Sequence, residues 1–301
     1  MILVDNIVVQ MWLDGLDSPA TRRSYRMSIR EAESGLGSLA SCADLERLTA
    51  WRRYLVTRME AGELAPASVS VRLAALRSFL RYARVSGTLA GLPAESVSMA
   101  LRSPRSHVLK PYQIASDDEI ARLMAMAGQP RDRAMLALLI GSGVRASEAA
   151  KILVGDLYMD GDGDMTLHVR AGKGRKDRMI PLPDQTADEL QQYVRGLGRE
   201  IGAARDARRA LFPSRQGQNK AITAGRLRQI MDELVGAAGI SRALSPHSLR
   251  HSYATALVRR GASLPVLQRL LGHASLVTTQ RYVDHLDMSD LKSAVRVKKP
   301  F

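Results

Sequence analysis

Cysteine is almost absent from this chain. Cys42 is the one cysteine in 301 residues, which excludes an internal disulfide and a cysteine-cluster metal site and fits a reducing cytoplasm. Long apolar runs are missing too. The opening MILVDNIVVQMW is broken by Asp5 and Asn6, and nothing approaches the ~20 apolar residues of a membrane span, so no membrane association is expected. Lysine is absent from the first 109 residues. Their positive charge is all arginine, whose planar fork suits phosphate; codon bias gives the same composition.

Three apparent cofactor signals also fail. GKGRK (172–176) lacks the spacing and terminal hydroxyl residue of a nucleotide-binding P-loop. Asp160, Asp162 and Asp164 begin like a calcium loop, but Met165 stands at its sixth position and Ala171 at its twelfth, where glycine and glutamate are required. His247 and His251 have the i, i+4 spacing of a zinc helix, but Ser248 replaces the glutamate of a metalloprotease. No cofactor and no metal are expected.

What is abundant is positive charge. The formal net charge is +14 and the sequence pI about 10.4, which points to a polyanionic partner. Residues 1–105 hold 14 Lys and Arg against 10 Asp and Glu, leaving 30 against 20 for the remainder. Both halves are basic, as in a clamp with two DNA-facing surfaces.

The first hundred residues read as helices separated by turns. Residues 2–13 form a short one, and Ser18-Pro19 opens a second carrying Arg22, Arg23, Arg26 and Arg30. A third runs over 43–61 to Gly62. Residues 66–86 follow, with Val69, Leu73, Leu76, Phe79 and Leu80 on one side and Arg72, Arg77, Arg81 and Arg84 largely on the other. Those four arginines either form a solvated face or contact backbone phosphates, which positions DNA without reading its sequence. One more helix covers 93–102. The aperiodic, proline-containing stretch at 104–113 is a linker, so the chain divides into 1–103, the linker and 114–301.

Ser116 and Glu119 form a capping box for a helix to about 126. An apolar helix over 131–140 turns at Gly141-Ser142-Gly143, and Arg145 opens the next. Residues 154–182 change to a period of two, with strands at 156–159, 165–171 and 178–182. Helices resume from 183 to 199 and from 223 to 238, after a loop around Pro213. The fold class is mainly α with a small antiparallel β-sheet.

The chemistry concentrates in 244–284. Ser245-Pro246 is a helix start, a hydroxyl cap followed by proline at the first position. His247 and Arg250 then share a face beside the positive helix end, a natural anion site. Gly261 and Gly272 read as helix stops. His273 follows directly, and Tyr282 sits on a third short helical pattern with Leu276, Val283 and Leu286 as its apolar positions. Folded back on one another, these segments bring His247, Arg250, His273 and Tyr282 to one phosphate.

HSLRH (247–251), LLGH (270–273) and TTQRY (278–282) resemble successive signature boxes of the tyrosine recombinases, the phage integrase family. GSGVRASEA (141–149) resembles its first arginine box, giving Arg145 with Glu148 as supporting carboxylate, and AGKGRKDRMIPL (171–182) resembles its lysine hairpin, giving Lys173. Ala146 and Ala149 replace bulkier apolar residues, and Ser248 is a variant within its box. The helical first domain resembles the family's core-binding domain in general pattern.

The resemblance implies a site-specific recombinase. Tyr282 would attack a phosphodiester to form a 3′-phosphotyrosyl link, Arg145, Arg250 and His273 would hold the developing charge, and Lys173 would protonate the leaving 5′ oxygen. His247 would handle the tyrosine proton or support the phosphate, while His251 receives no catalytic part and is assigned to packing or support. The same resemblance implies a Holliday junction, a homo-tetramer or a hetero-tetramer with a paralogue on a double-stranded DNA site, and a C-terminal tail, 288–301, docking on a neighbouring protomer. A cytoplasmic, nucleoid-associated protein is expected, most like the Xer-type members. A type IB topoisomerase and a non-catalytic DNA-binding protein are the alternatives. Chromosome-dimer resolution and mobile-element integration are not separated by the sequence.

Overall fold

The computed structural model describes residues 7–37, 44–89, 91, 93–104, 113–170, 177–214, 217–273, 276–280 and 282–283. Cys42, Lys173 and its hairpin tip, most of the linker and the tail 288–301 lie outside these residues. The chain divides into two compact units, Met1–Leu109 and Lys110–Phe301. Both are mainly helical, and among the described residues the strands belong to the second.

The first unit contains α1 (Ile7–Asp14), α2 (Pro19–Leu36), α3 (Leu45–Glu60), α4 (Pro66–Val85) and α5 (Ala94–Ala100). Ser18 caps α2 by accepting from the Thr21 N–H, and Asp44 caps α3 from Glu46 and Arg47. Val69, Leu73, Leu76, Phe79 and Leu80 of α4 are all buried, each contributing roughly 1.5–3 kcal/mol. They meet Trp12, which packs edge-on to Phe79 at 5.4 Å, stacks on Tyr25 at 5.7 Å and donates its indole N–H to Ser78.

The second unit starts with α6 (Asp117–Met126), capped reciprocally by Ser116 and Glu119. The apolar α7 (Pro130–Ser142) follows, and eight of its residues are buried, so it is a central helix. The short α8 (Ala146–Ala149) leads into a three-stranded antiparallel sheet in the order β1 (Leu157–Met159), β2 (Met165–Val169), β3 (Arg178–Pro181). Then come α9 (Asp184–Gly196), β4 (Pro213–Ser214), β5 (Gly217–Ala221), α10 (Ala224–Ala237), α11 (Pro246–Arg259), α12 (Leu264–Leu271) and α13 (Leu276–Gln280).

The β4–β5 hairpin departs from the sequence reading, which has a loop there. Its strands pair antiparallel with an irregular register, Pro213 against Ala221 and Ser214 against Gly217, and proline and glycine in such short strands erase the alternation that would announce them. Tyr282 also differs slightly. It follows α13; among the residues whose burial is described, Thr279 and Tyr282 are buried and Val283 is half-buried, while the side chain of Leu276 and all of Leu286 lie outside the described residues.

Candidate active site

The site is assembled within the second unit from the ends of α7, α11 and α12, the start of α8 and the first residue of β3. α7 stops at Gly143, whose φ of 59° is left-handed. A Cβ there would lie 2.4 Å from Cδ1 of Tyr253 on α11, so only glycine lets the turn approach that helix. The approach matters because the Gly143 carbonyl accepts a hydrogen bond from Arg250 at 2.7 Å.

Arg250 is 1% exposed. Its second terminal nitrogen donates to the Leu271 carbonyl at 2.6 Å, so one guanidinium ties the end of α7 to the end of α12. Burial, and then the charge of Arg145, push its pKa down to about 10. α11 itself starts on a mutual cap: the Ser248 N–H donates to the Ser245 hydroxyl and the Ser245 N–H to the Ser248 hydroxyl. Ser248 thereby does the work a glutamate does in the usual capping box.

Arg145 stands at the entry of α8. Its backbone N–H donates to Glu148 Oε2 at 2.9 Å and its guanidinium to Glu148 Oε1 at 3.0 Å. Glu148 is shared with Arg178, the first residue of β3, which donates to both carboxylate oxygens at 3.2 and 2.8 Å. Arg178 also donates through Nε to the Leu270 carbonyl at 2.8 Å. Burial alone would raise the Glu148 pKa, but hydrogen bonds from Arg178 and the Arg145 backbone hold it down at about 2.

His273 follows Gly272, another left-handed helix stop, φ 63°. A Cβ on Gly272 would be 3.0 Å from an Arg178 nitrogen, so this turn sits against the Arg178 side chain. Nδ1 of His273 is 3.0 Å from the Thr279 hydroxyl. Its ring lies parallel to that of Tyr282, 6° apart with centroids at 6.1 Å. Burial first, and then Arg250, Arg145 and Arg178, push the His273 pKa down to about 4. His247 is exposed on one side, yet its protonated form is also disfavoured, by partial desolvation and by Arg250 and Arg145.

Tyr282 is 2% exposed and packs with Ala254, Leu267 and Leu271. Its hydroxyl is 3.1 Å from Nδ1 of His251, which is itself buried at 5% and sits edge-on to His247 with ring centroids 4.2 Å apart. The tyrosine is also near enough to Arg250 to favour the charged guanidinium.

The structure therefore brings Arg145, Glu148, His247, Arg250, His273 and Tyr282 together; Lys173 lies outside the described residues. Arg178 is an addition to the sequence reading, and His251, assigned there to packing or support, touches Tyr282 directly. Arg178 carries a usable signal, since it has the same phase as buried Ile180 in a strand whose alternate residues are exposed. His251 is four residues from His247 and shares its helix face, but its contact with Tyr282 depends on tertiary folding.

In the first unit, the α4 arginines divide into two pairs. Arg72 is ion-paired with Glu31, and Arg77 donates to the Leu101 carbonyl and to the Ser103 hydroxyl. Arg81 and Arg84 are exposed.

Among the described residues, clustered arginines and histidines share one carboxylate, Glu148, and lie beside a buried tyrosine, an arrangement suited to holding an anion. Residues 114–288 match the Phage integrase family and residues 10–87 its N-terminal SAM-like domain, and the chain belongs to that family, the tyrosine recombinases. A tyrosine recombinase XerC from Lacticaseibacillus casei (strain BL23) is 31% identical over 282 residues, covering 92% of this chain and 91% of the relative. One from Yersinia pestis is 34% identical over 290 residues, covering 94% and 89%. Among solved structures, the XerH site-specific recombinase bound to a palindromic difH substrate superposes with a TM-score of 0.70 at 21% identity, covering 92% of this chain and 79% of that one. The Tn1549 transposon integrase in complex with a circular intermediate DNA gives 0.72 at 18%, covering 98% and 99%. These two likenesses concern the fold.

Proposed function

We propose that the chain cuts and rejoins double-stranded DNA at a specific site through a 3′-phosphotyrosyl intermediate on Tyr282. The observation that carries this is the surplus of positive charge around one buried phenol. Arg145 lowers the Arg250 pKa, and both arginines lower those of His247 and His273. A phosphate relieves that mutual repulsion, and the relief grows as negative charge develops on its non-bridging oxygens during attack. Arg145 and Arg250 hold those oxygens, and His273, with Nδ1 on Thr279, has Nε2 for a further hydrogen bond.

Glu148 orients Arg145. Lys173 protonates the departing 5′ oxygen and His247 supports the phosphate, both by resemblance to the family. The ester on Tyr282 stores the energy of the broken bond, so rejoining needs no ATP. The exposed Arg81 and Arg84 contact DNA backbone from the first unit, residues 1–103, with 104–113 as linker to the catalytic 114–301.

Exchange between two duplexes requires four cuts, and one tyrosine per subunit requires four subunits. The relatives named XerC favour recombination over simple relaxation. The protein is then cytoplasmic and nucleoid-associated, and its 288–301 tail docks on a neighbouring protomer. Unchanged recombination after deleting 288–301 dismisses the docking.

A nicked suicide substrate that traps the covalent complex tests the core reading. Wild type gives a protein–DNA adduct; Tyr282→Phe gives none while binding DNA close to normally. Full strand cleavage by Tyr282→Phe refutes the assignment.

A further inference from the structure

We infer that His251 is the group that takes the phenolic proton from Tyr282 as it attacks, and that returns it when the strand is rejoined. This rests on the reading of Tyr282 as nucleophile. A phenol ionises near pH 10 and is a poor nucleophile at neutral pH until its proton has somewhere to go. Proton transfer needs a base within about 2.6–3.2 Å of the hydroxyl, and His251 Nδ1 is at 3.1 Å.

The other two imidazoles are differently occupied. His273 lies parallel to the Tyr282 ring, facing its π surface, and its Nδ1 is on Thr279. His247 stands one turn earlier on α11, exposed, and its protonated form is disfavoured by partial burial and by Arg250 and Arg145, the two arginines assigned to the phosphate. The pair on one helix face thus divides the work: His247 toward phosphate, His251 toward phenol.

The local structure holds His251 in place. Ser252, its neighbour on α11, accepts from the Ala115 N–H at 2.8 Å and donates to the Ser248 carbonyl at 3.0 Å, fixing this turn of the helix. The Tyr282 ring packs on Ala254 of the same helix and on Leu267 and Leu271 of α12. Among the described residues, the charged and titratable groups around the His251–Tyr282 pair include His247 and Arg250 on α11 and His273 over the phenol.

The step balances without another reactant. The Tyr282 O–H proton passes to Nδ1 of a His251 tautomer protonated on Nε2. The phenolic oxygen bonds to phosphorus, the bond from phosphorus to the 5′ oxygen breaks with its electron pair, and that oxygen takes a proton from a separate donor. Rejoining reverses each transfer, and the imidazolium returns its proton to the tyrosine.

Single-turnover cleavage of the suicide substrate tests this in the full-length protein, with the ordinary 5′ oxygen and with a 5′-bridging sulfur that leaves without protonation. His251→Gln and His251→Ala should slow cleavage on the order of 10²–10³-fold on both substrates, with DNA binding and thermal melting near those of wild type. The wild-type rate should fall on the acid side as an imidazole protonates. In both variants that limb should give way to a continuous rise towards pH 10, and added imidazole should restore part of the His251→Ala rate, which a purely structural role would not allow. Cleavage by His251→Gln at or above the wild-type rate overturns the inference, as does a slowed variant with an unchanged pH profile and no imidazole rescue. If wild type itself forms no Tyr282 adduct, it is the nucleophile assignment that fails, and the inference falls with it.

Discussion

Replacing Arg178 should both loosen the second unit and slow its chemistry, although sequence spacing gives this residue no catalytic part. Its side chain is 6% exposed and is the largest favourable partner of Glu148, whose pKa stands at about 2 in place of 4.5. A fall of that size corresponds to about 3 kcal/mol of differential interaction. Removing one partner of such a buried pair costs about 3–5 kcal/mol, so Arg178→Met should lower the unfolding free energy by about that much in urea titrations.

The double change Arg178→Met/Glu148→Leu should be milder than the sum of the single changes, with a coupling of about 1–3 kcal/mol, because no orphaned charge is left. The sign with pH follows from a depressed carboxylate. Its contribution is complete above pH 4.5 and is lost as pH falls through about 2, and Arg178→Met should lose the part of that acid-dependent component that Arg178 supplies, leaving the part due to Arg145. Arg145 then loses a fixed Glu148, and cleavage should fall on the order of 10²-fold, the scale of a 1 Å misplacement. A coupling below about 0.5 kcal/mol would show that Arg178 and Glu148 act independently and would refute the network.

Arg145→Ala should reduce the rate of covalent-adduct formation on the order of 10²–10³-fold, as when one transition-state donor is removed; the gel time course measures it. Gly143→Ala combines a left-handed backbone with a 2.4 Å contact to Tyr253, so it should cost upwards of roughly 1–3 kcal/mol in denaturation and should slow cleavage by moving the carbonyl that holds Arg250. The His273 pKa lies at about 4, below 6.5. The unfolded chain therefore binds this proton first, and the stability from keeping the ring neutral is lost as pH falls from about 6.5 towards 4. Melting temperatures across that interval should fall less for His273→Gln than for wild type.

Much of this architecture is written in local sequence, because caps and apolar periodicity act within a few residues. The Ser116/Glu119 box, the Ser245-Pro246 start and the apolar face of α4 all appear at the expected positions. The three-stranded sheet is legible for the same reason, since burial alternates along β2 and β3. The pairing of β4 with β5 is not legible, because it depends on Pro213 meeting Ala221 in an irregular register.

Charged residues show the limit most clearly. On α4 the sequence places four arginines opposite the apolar face, but only folding shows Arg72 meeting Glu31 from α2 and Arg77 meeting the chain just past α5. The candidate site residues are marked by the resemblance of their boxes to the family, whereas among the partners that hold Arg250 and Arg178 are carbonyls of Gly143, Leu270 and Leu271. A backbone acceptor leaves no residue-type signature, so those contacts become visible only in three dimensions.

Peptide mapping of the trapped protein–DNA adduct tests the central claim most directly. After digestion of protein and DNA, mass spectrometry should find a nucleotide remnant on the peptide containing Tyr282, linked through the phenolic oxygen to a 3′ phosphate. A remnant on any other side chain, or on a 5′ phosphate, would contradict the account.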